Sequence, residues 1–102
     1  MSQDLCVVIA QQDFLVGDVA ANTTKVIQAA LRARDEFKAQ AIVFPELTLT
    51  GYPPEDLLLR PGLHRAVQRG LASIQSQVSG IDVIVGFPEK TDAGLFNAAT
   101  VF

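Results

Sequence analysis

Two glutamates in this sequence follow a proline at the end of an apolar run. Glu46 closes Ala41-Ile42-Val43-Phe44-Pro45, and Glu89 closes Val83-Ile84-Val85-Gly86-Phe87-Pro88. A short β-branched run stopped by proline reads as a buried strand, because proline has no N–H to give to a sheet ladder. A carboxylate just past such a strand end, held between Phe44 and Leu47, is partly desolvated. Lost hydration penalises the charged form and raises the pKa toward the range useful for proton transfer. Glu46 is the better candidate for a general base. The plain alternative is a solvated loop glutamate, and for Glu89 that reading is the stronger one.

The other reactive side chains carry less. The single cysteine, Cys6, stands among Leu5, Val7 and Val8, where a thiol behaves as a small hydrophobe rather than a nucleophile. One cysteine and one histidine, His64, cannot make an internal disulfide or an ordinary zinc site, so no metal is expected. His64 begins a helix beside Arg65 on its wet side, and Lys38 and Lys90 read as solvated surface lysines.

The elements that must position Glu46 follow from the hydrophobic period. Residues 5–10, 41–44 and 82–87 are apolar at consecutive positions, as in strands buried on both faces. Between the first two, Val26, Ala30, Ala33 and Phe37 recur at helical steps, with Asn22 as the expected N-cap. Between the second and third, residues 55–59 suit a short helical turn after Pro54. Leu63, Val67, Leu71, Ile74 and Val78 then mark a second helix, with Gly80 at its stop. Residues 97–102 read as a fourth strand, joined to the third through the turn-rich segment 91–94 as an antiparallel hairpin. The expected order is β-α-β-α-β-β, α/β in class, with parallel pairing wherever a helix intervenes. Ligands of such sheets gather beyond the carboxyl ends of the parallel strands, where Glu46 falls.

Both helices can cover one face of this sheet, and nothing remains in the chain to cover the other. The open face is therefore expected to bury itself against another copy or another chain. At 102 residues, 49% apolar and 19% charged, the chain is rich enough in core-forming residues to fold. Its net charge of −3 comes without a basic cluster, which argues against nucleic acid as a partner. Its apolar runs are far below the ~20 residues of a membrane helix, and its start has no signal-peptide pattern. A cytoplasmic location is expected.

Residues 44–61, Phe-Pro-Glu-Leu-Thr-Leu-Thr-Gly-Tyr-Pro-Pro-Glu-Asp-Leu-Leu-Leu-Arg-Pro, resemble the segment that carries the catalytic glutamate of the nitrilase, or carbon–nitrogen hydrolase, superfamily. More narrowly, Gly51-Tyr52-Pro53-Pro54-Glu55-Asp56-Leu57-Leu58 is similar to the glutamine amidotransferase domains of the glutamine-dependent NAD synthetase family. The similarity continues through Ala10-Gln11, Val16-Gly17-Asp18 with Asn22 after it, Val85-Gly86-Phe87-Pro88 and Asn97-Ala98-Ala99.

This resemblance implies a four-layer α-β-β-α sandwich, of which residues 1–102 supply the amino-terminal part. It implies a Glu, Lys, Cys triad that hydrolyses the amide of glutamine, with Glu46 as the general base and Tyr52 near the glutamine pocket. The family's lysine and cysteine find no match here, so the 102 residues alone are expected to be inactive. No cofactor is expected on this chain; ATP and magnesium would serve a separate synthetase domain, and a homo-oligomer is expected. Leu57-Leu58-Leu59 would dock on the remaining domain or a neighbouring subunit. Two alternatives stay open: a stand-alone nitrilase-type amidase, and a non-enzymatic α/β module that binds a partner through its open sheet face.

Overall fold

A computed structural model describes residues 6–10, 14, 17–45, 48–50, 61–91 and 94–101, with the backbone alone for Pro61 and for the residues past Phe87. The elements run β1 (Val7–Ile9), α1 (Val19–Asp35), β2 (Ala41–Val43), α2 (Pro61–Gln77), β3 (Asp82–Thr91) and β4 (Gly94–Val101). This is the β-α-β-α-β-β order that the periodicity predicts. The strands form one sheet in the order β1-β2-β3-β4. β1 and β2 are parallel, as are β2 and β3, and β3 folds back on β4 as an antiparallel hairpin with Thr91 opposite Gly94. The expected turn over residues 55–59 and the Leu57-Leu58-Leu59 run lie outside the described residues.

Helix α1 starts one turn earlier than expected. Its N-cap is Asp18, whose carboxylate accepts from the Ala21 N–H at 3.1 Å. Asn22 lies inside the helix and is buried. The reason is the position of Val19: it is buried with Asn22, Thr23, Val26, Ile27, Ala30 and Ala33, so the stripe that packs the helix begins there. Asp18 is also the better cap by charge, since an anion suits the positive end of the helix dipole. At the other end the helix stops at Asp35, and Phe37 falls beyond the stripe it was expected to join. Phe37 is exposed, with the Arg32 guanidinium 5.6 Å from its ring centroid.

Helix α2 presents Leu63, Val67 and Ile74, all buried, as expected. At Gly70 the two helices come into close contact: a Cβ there would stand 2.5 Å from Thr23 Oγ1 and 3.5 Å from Val19 Cγ1. A larger residue would hold the helices apart. Beyond α2 the chain turns through Gly80, whose φ of +80° is in the region that favours glycine. Arg34 ties the two helix ends together by donating to the Ser79 carbonyl at 2.9 Å. Its hydrogen bonds to Asp35 hold that carboxyl below the ordinary carboxylate range, though both groups face solvent. His64 is half-buried rather than on the wet side, and Cys6, also half-buried, lies just ahead of β1.

Strand β3 runs further than the sequence suggests. Pro88 and Glu89, expected in a loop, pair with Asn97 and Phe96 of β4. β2 pairs with β3 only from Asp82 to Ile84. Past that point β4 is the only described strand paired with β3, and a proline with no N–H is tolerated where a second strand does not pair.

The core lies between the helices and one face of the sheet, where Ile42, Val83, Val85 and Phe87 meet Val26, Ala30, Val67 and Ile74. On the other face the register sets Ile9, Val43 and Ile84 in one row. Ile9 is 71% exposed and Val7 45%. Burial of the strands on two sides was expected; the described residues cover only one.

Candidate active site

Glu46 and Tyr52 both lie outside the described residues, so the site is built from what holds the chain on either side of them. On the amino side, Phe44 extends the pairing of β2 by one residue, its N–H donating to the Ile84 carbonyl at 2.9 Å. Its ring is buried and meets Phe14 edge-on, with centroids 6.3 Å apart. The Lys25 ammonium stands 5.8 Å from the Phe14 centroid, which places a cation on the wall of this apolar pair.

On the carboxyl side, Thr48, Leu49 and Thr50 form a turn in which all three residues are buried. Burying a turn requires partners for its backbone, and several come from outside the turn. The Thr48 hydroxyl donates to the Pro45 carbonyl. The Leu49 N–H donates to the Gly86 carbonyl of β3, and the Gly17 N–H donates to the Thr50 carbonyl at 2.8 Å. The Leu49 carbonyl accepts from Asn22 Nδ2 at 3.0 Å, a bond buried from solvent. Removing one such partner leaves a buried carbonyl unsatisfied, at a cost of about 1–3 kcal/mol. The turn is thus fastened to β3, to α1 and to the segment before α1, at the carboxyl ends of the parallel strands.

Sequence reasoning found the Pro45-Glu46 motif and missed Asn22, which it assigned to a helix end. The signal was present: Asn22 follows Val19 by three residues and precedes Val26 by four. A polar amide on the buried stripe must find a partner. The expected candidate Glu89 is part of β3 and does not border this turn in the described hydrogen bonds.

No three His, Cys, Asp or Glu side chains gather as metal ligands among the described residues. None of the described helices is long and apolar enough to cross a membrane. A groove of about 520 Å³ between α1 and α2, lined among others by Thr24, Gln28, Arg69 and Ser73, shares no residue with the turn.

The chain belongs to the carbon–nitrogen hydrolase family, which it matches over residues 6–102. Among relatives, it is 46% identical over 97 residues to the glutamine-dependent NAD(+) synthetase of Xanthomonas campestris pv. campestris, covering 95% of this chain and 18% of that one. The corresponding enzyme of Aquifex aeolicus is 41% identical over 97 residues, covering 91% of this chain and 16% of that one. Among solved structures, the glutamine-dependent NAD+ synthetase of Acinetobacter baumannii in complex with ADP superposes with a TM-score of 0.86 at 40% identity. That match covers 94% of this chain and 18% of the other. An amidase from Nesterenkonia shares the fold, with a TM-score of 0.77 at 23% identity over 95% of this chain and 37% of its own. The chain therefore spans under a fifth of the length of the synthetases it matches.

Proposed function

We propose that residues 1–102 form the amino-terminal part of a glutaminase domain whose ammonia is used by an ATP-dependent synthetase domain to amidate deamido-NAD to NAD. The observation that carries this reading is the continuous match, nearly end to end, with relatives named glutamine-dependent NAD(+) synthetase. In this reading Glu46 is the general base. It takes the proton of a cysteine thiol as the sulfur attacks the carboxamide carbon of glutamine, then passes that proton to the departing ammonia. The thioester left behind is hydrolysed to glutamate. A base is required because a free thiol, of pKa ≈ 8.5, is ionised only to a few per cent at pH 7.

The buried turn at residues 48–50 supports this role, since a base must hold its place to within a fraction of an ångström to be effective. Tyr52 is assigned to the wall of the glutamine pocket. The thiol and the oxyanion-stabilising lysine come from elsewhere in the domain. Cys6 supplies neither role, because it precedes β1 at the far end of the strand from the turn and gives its thiol hydrogen to the Phe37 carbonyl at 3.7 Å. The sequence has no phosphate-binding Gly-rich loop, and ATP and magnesium are assigned to the synthetase domain that the family resemblance implies. The exposed row at Ile9 supports assembly with further protein, either the rest of the domain or a homo-oligomer partner, and the single cysteine supports a reducing, cytoplasmic compartment.

The test uses the complete reading frame that contains this chain. Supplied with glutamine labelled with nitrogen-15 at the amide, together with ATP, magnesium and deamido-NAD, the purified protein is expected to place the label in the amide of NAD. Labelled ammonia without labelled NAD would instead identify a stand-alone amidase. The 102 residues alone are expected to release no ammonia from glutamine.

A further inference from the structure

We propose that Asn22 is a positioning residue for glutamine hydrolysis, acting through the turn that follows Glu46. The inference rests on the reading of Glu46 as the general base, and goes beyond it by naming what sets that base in place.

Asn22 is completely buried on a helix stripe otherwise built from Val19, Thr23, Val26, Ile27, Ala30 and Ala33. An apolar side chain would pack that stripe without burying an amide. The amide instead reaches 27 residues along the chain to the Leu49 carbonyl, at 3.0 Å. The same Leu49 gives its N–H to Gly86 of β3. Its two flanking peptide groups are therefore clamped from opposite sides, one by the sheet and one by α1. Pro45 is joined to the same turn by the Thr48 hydroxyl.

Residue 46 is one peptide from Pro45 and two from Thr48, and consecutive Cα atoms are ~3.8 Å apart. The Asn22 bond therefore acts on the described segment that follows Glu46 in the sequence. Loss of the Asn22 bond frees one side of the clamp. A catalytic group displaced by about 1 Å can lose on the order of 100-fold in rate, whereas glutamine binding through other groups is little affected.

The experiment compares wild type, Asn22→Asp, Asn22→Ser and Thr23→Val in the full-length protein, with glutamine and with free ammonia as nitrogen source. Asn22→Asp keeps the shape and replaces the donor by an acceptor facing a carbonyl; Asn22→Ser shortens the donor. Thr23→Val is the control, since Thr23 is buried on the same stripe and its hydroxyl has no hydrogen-bond partner among the described residues. The expected result is a fall in glutamine kcat of at least ~10-fold in both Asn22 variants, with KM within about two-fold. Ammonia-driven NAD formation and the Thr23→Val variant stay close to wild type. Unchanged glutamine kcat in both Asn22 variants overturns the proposal. So does a parallel loss of glutamine- and ammonia-driven rates in both, or an equal loss in Thr23→Val, because either result marks a merely structural role. A wild-type protein that hydrolyses no glutamine removes the glutaminase reading itself, and this inference with it.

Discussion

The two faces of the sheet are built from the same kinds of residue and meet different fates. Ile42, on the helix side, is 1% exposed; Ile9, one row away on the other face, is 71% exposed. Val83 and Val85 are buried, while Ile84 between them is only half covered. Alternation along the strands is thus present in burial although it is absent from the sequence. The difference teaches that strand composition reports the environment for which a strand is suited, and the helices present in the chain decide how much of it is supplied. Covering an exposed isoleucine is worth roughly 1.5–3 kcal/mol.

The largest effect that can sharpen this contrast comes from one substitution made on each face. Ile42→Ala is expected to lower the unfolding free energy by about 2–5 kcal/mol, and Ile9→Ala in the 102-residue chain by less than about 0.5 kcal/mol, both read from urea midpoints. The same Ile9→Ala change in the full-length protein is expected to cost several times more. An equal, small cost in both settings would mean that nothing covers this face.

A smaller effect is expected within the helix layer. Gly70→Ala places a methyl group 2.5 Å from Thr23 Oγ1, and is expected to destabilise by about 1–3 kcal/mol. Adding Thr23→Ala should restore part of that loss, because it removes the atom that clashes. Additive losses in the double variant would show that the helices part elsewhere.

The order of elements was legible because each helix has a clean period and each of the first three strands a short apolar run. Most of each helix stripe and the three apolar strand runs survive in the structure, while α2 stops at Gln77, three residues before Gly80. The errors lie at ends, where neighbours outside the element decide. Asn22 looks like a cap until Val19 is known to be buried, and Phe37 looks like a stripe residue until the helix stops at Asp35. Pro88 looks like a strand end until β4 is found alongside, with β2 already finished. Of the site, the Pro45-Glu46 pair was readable from its residue types and from family resemblance. The clamp around residues 48–50 was not, since its bonds join positions 17, 22 and 86 to one turn. Local patterns carry no record of which distant carbonyl an amide will meet.

The proposed role of Glu46 as general base is the point on which the functional reading turns. The most direct test is Glu46→Gln in the full-length protein, with NAD formation followed from glutamine and from free ammonia side by side. General-base removal typically costs 10²–10⁴-fold. The account predicts a loss of that order with glutamine and a rate within about two-fold of wild type with ammonia. Retention of the glutamine-driven rate would contradict it.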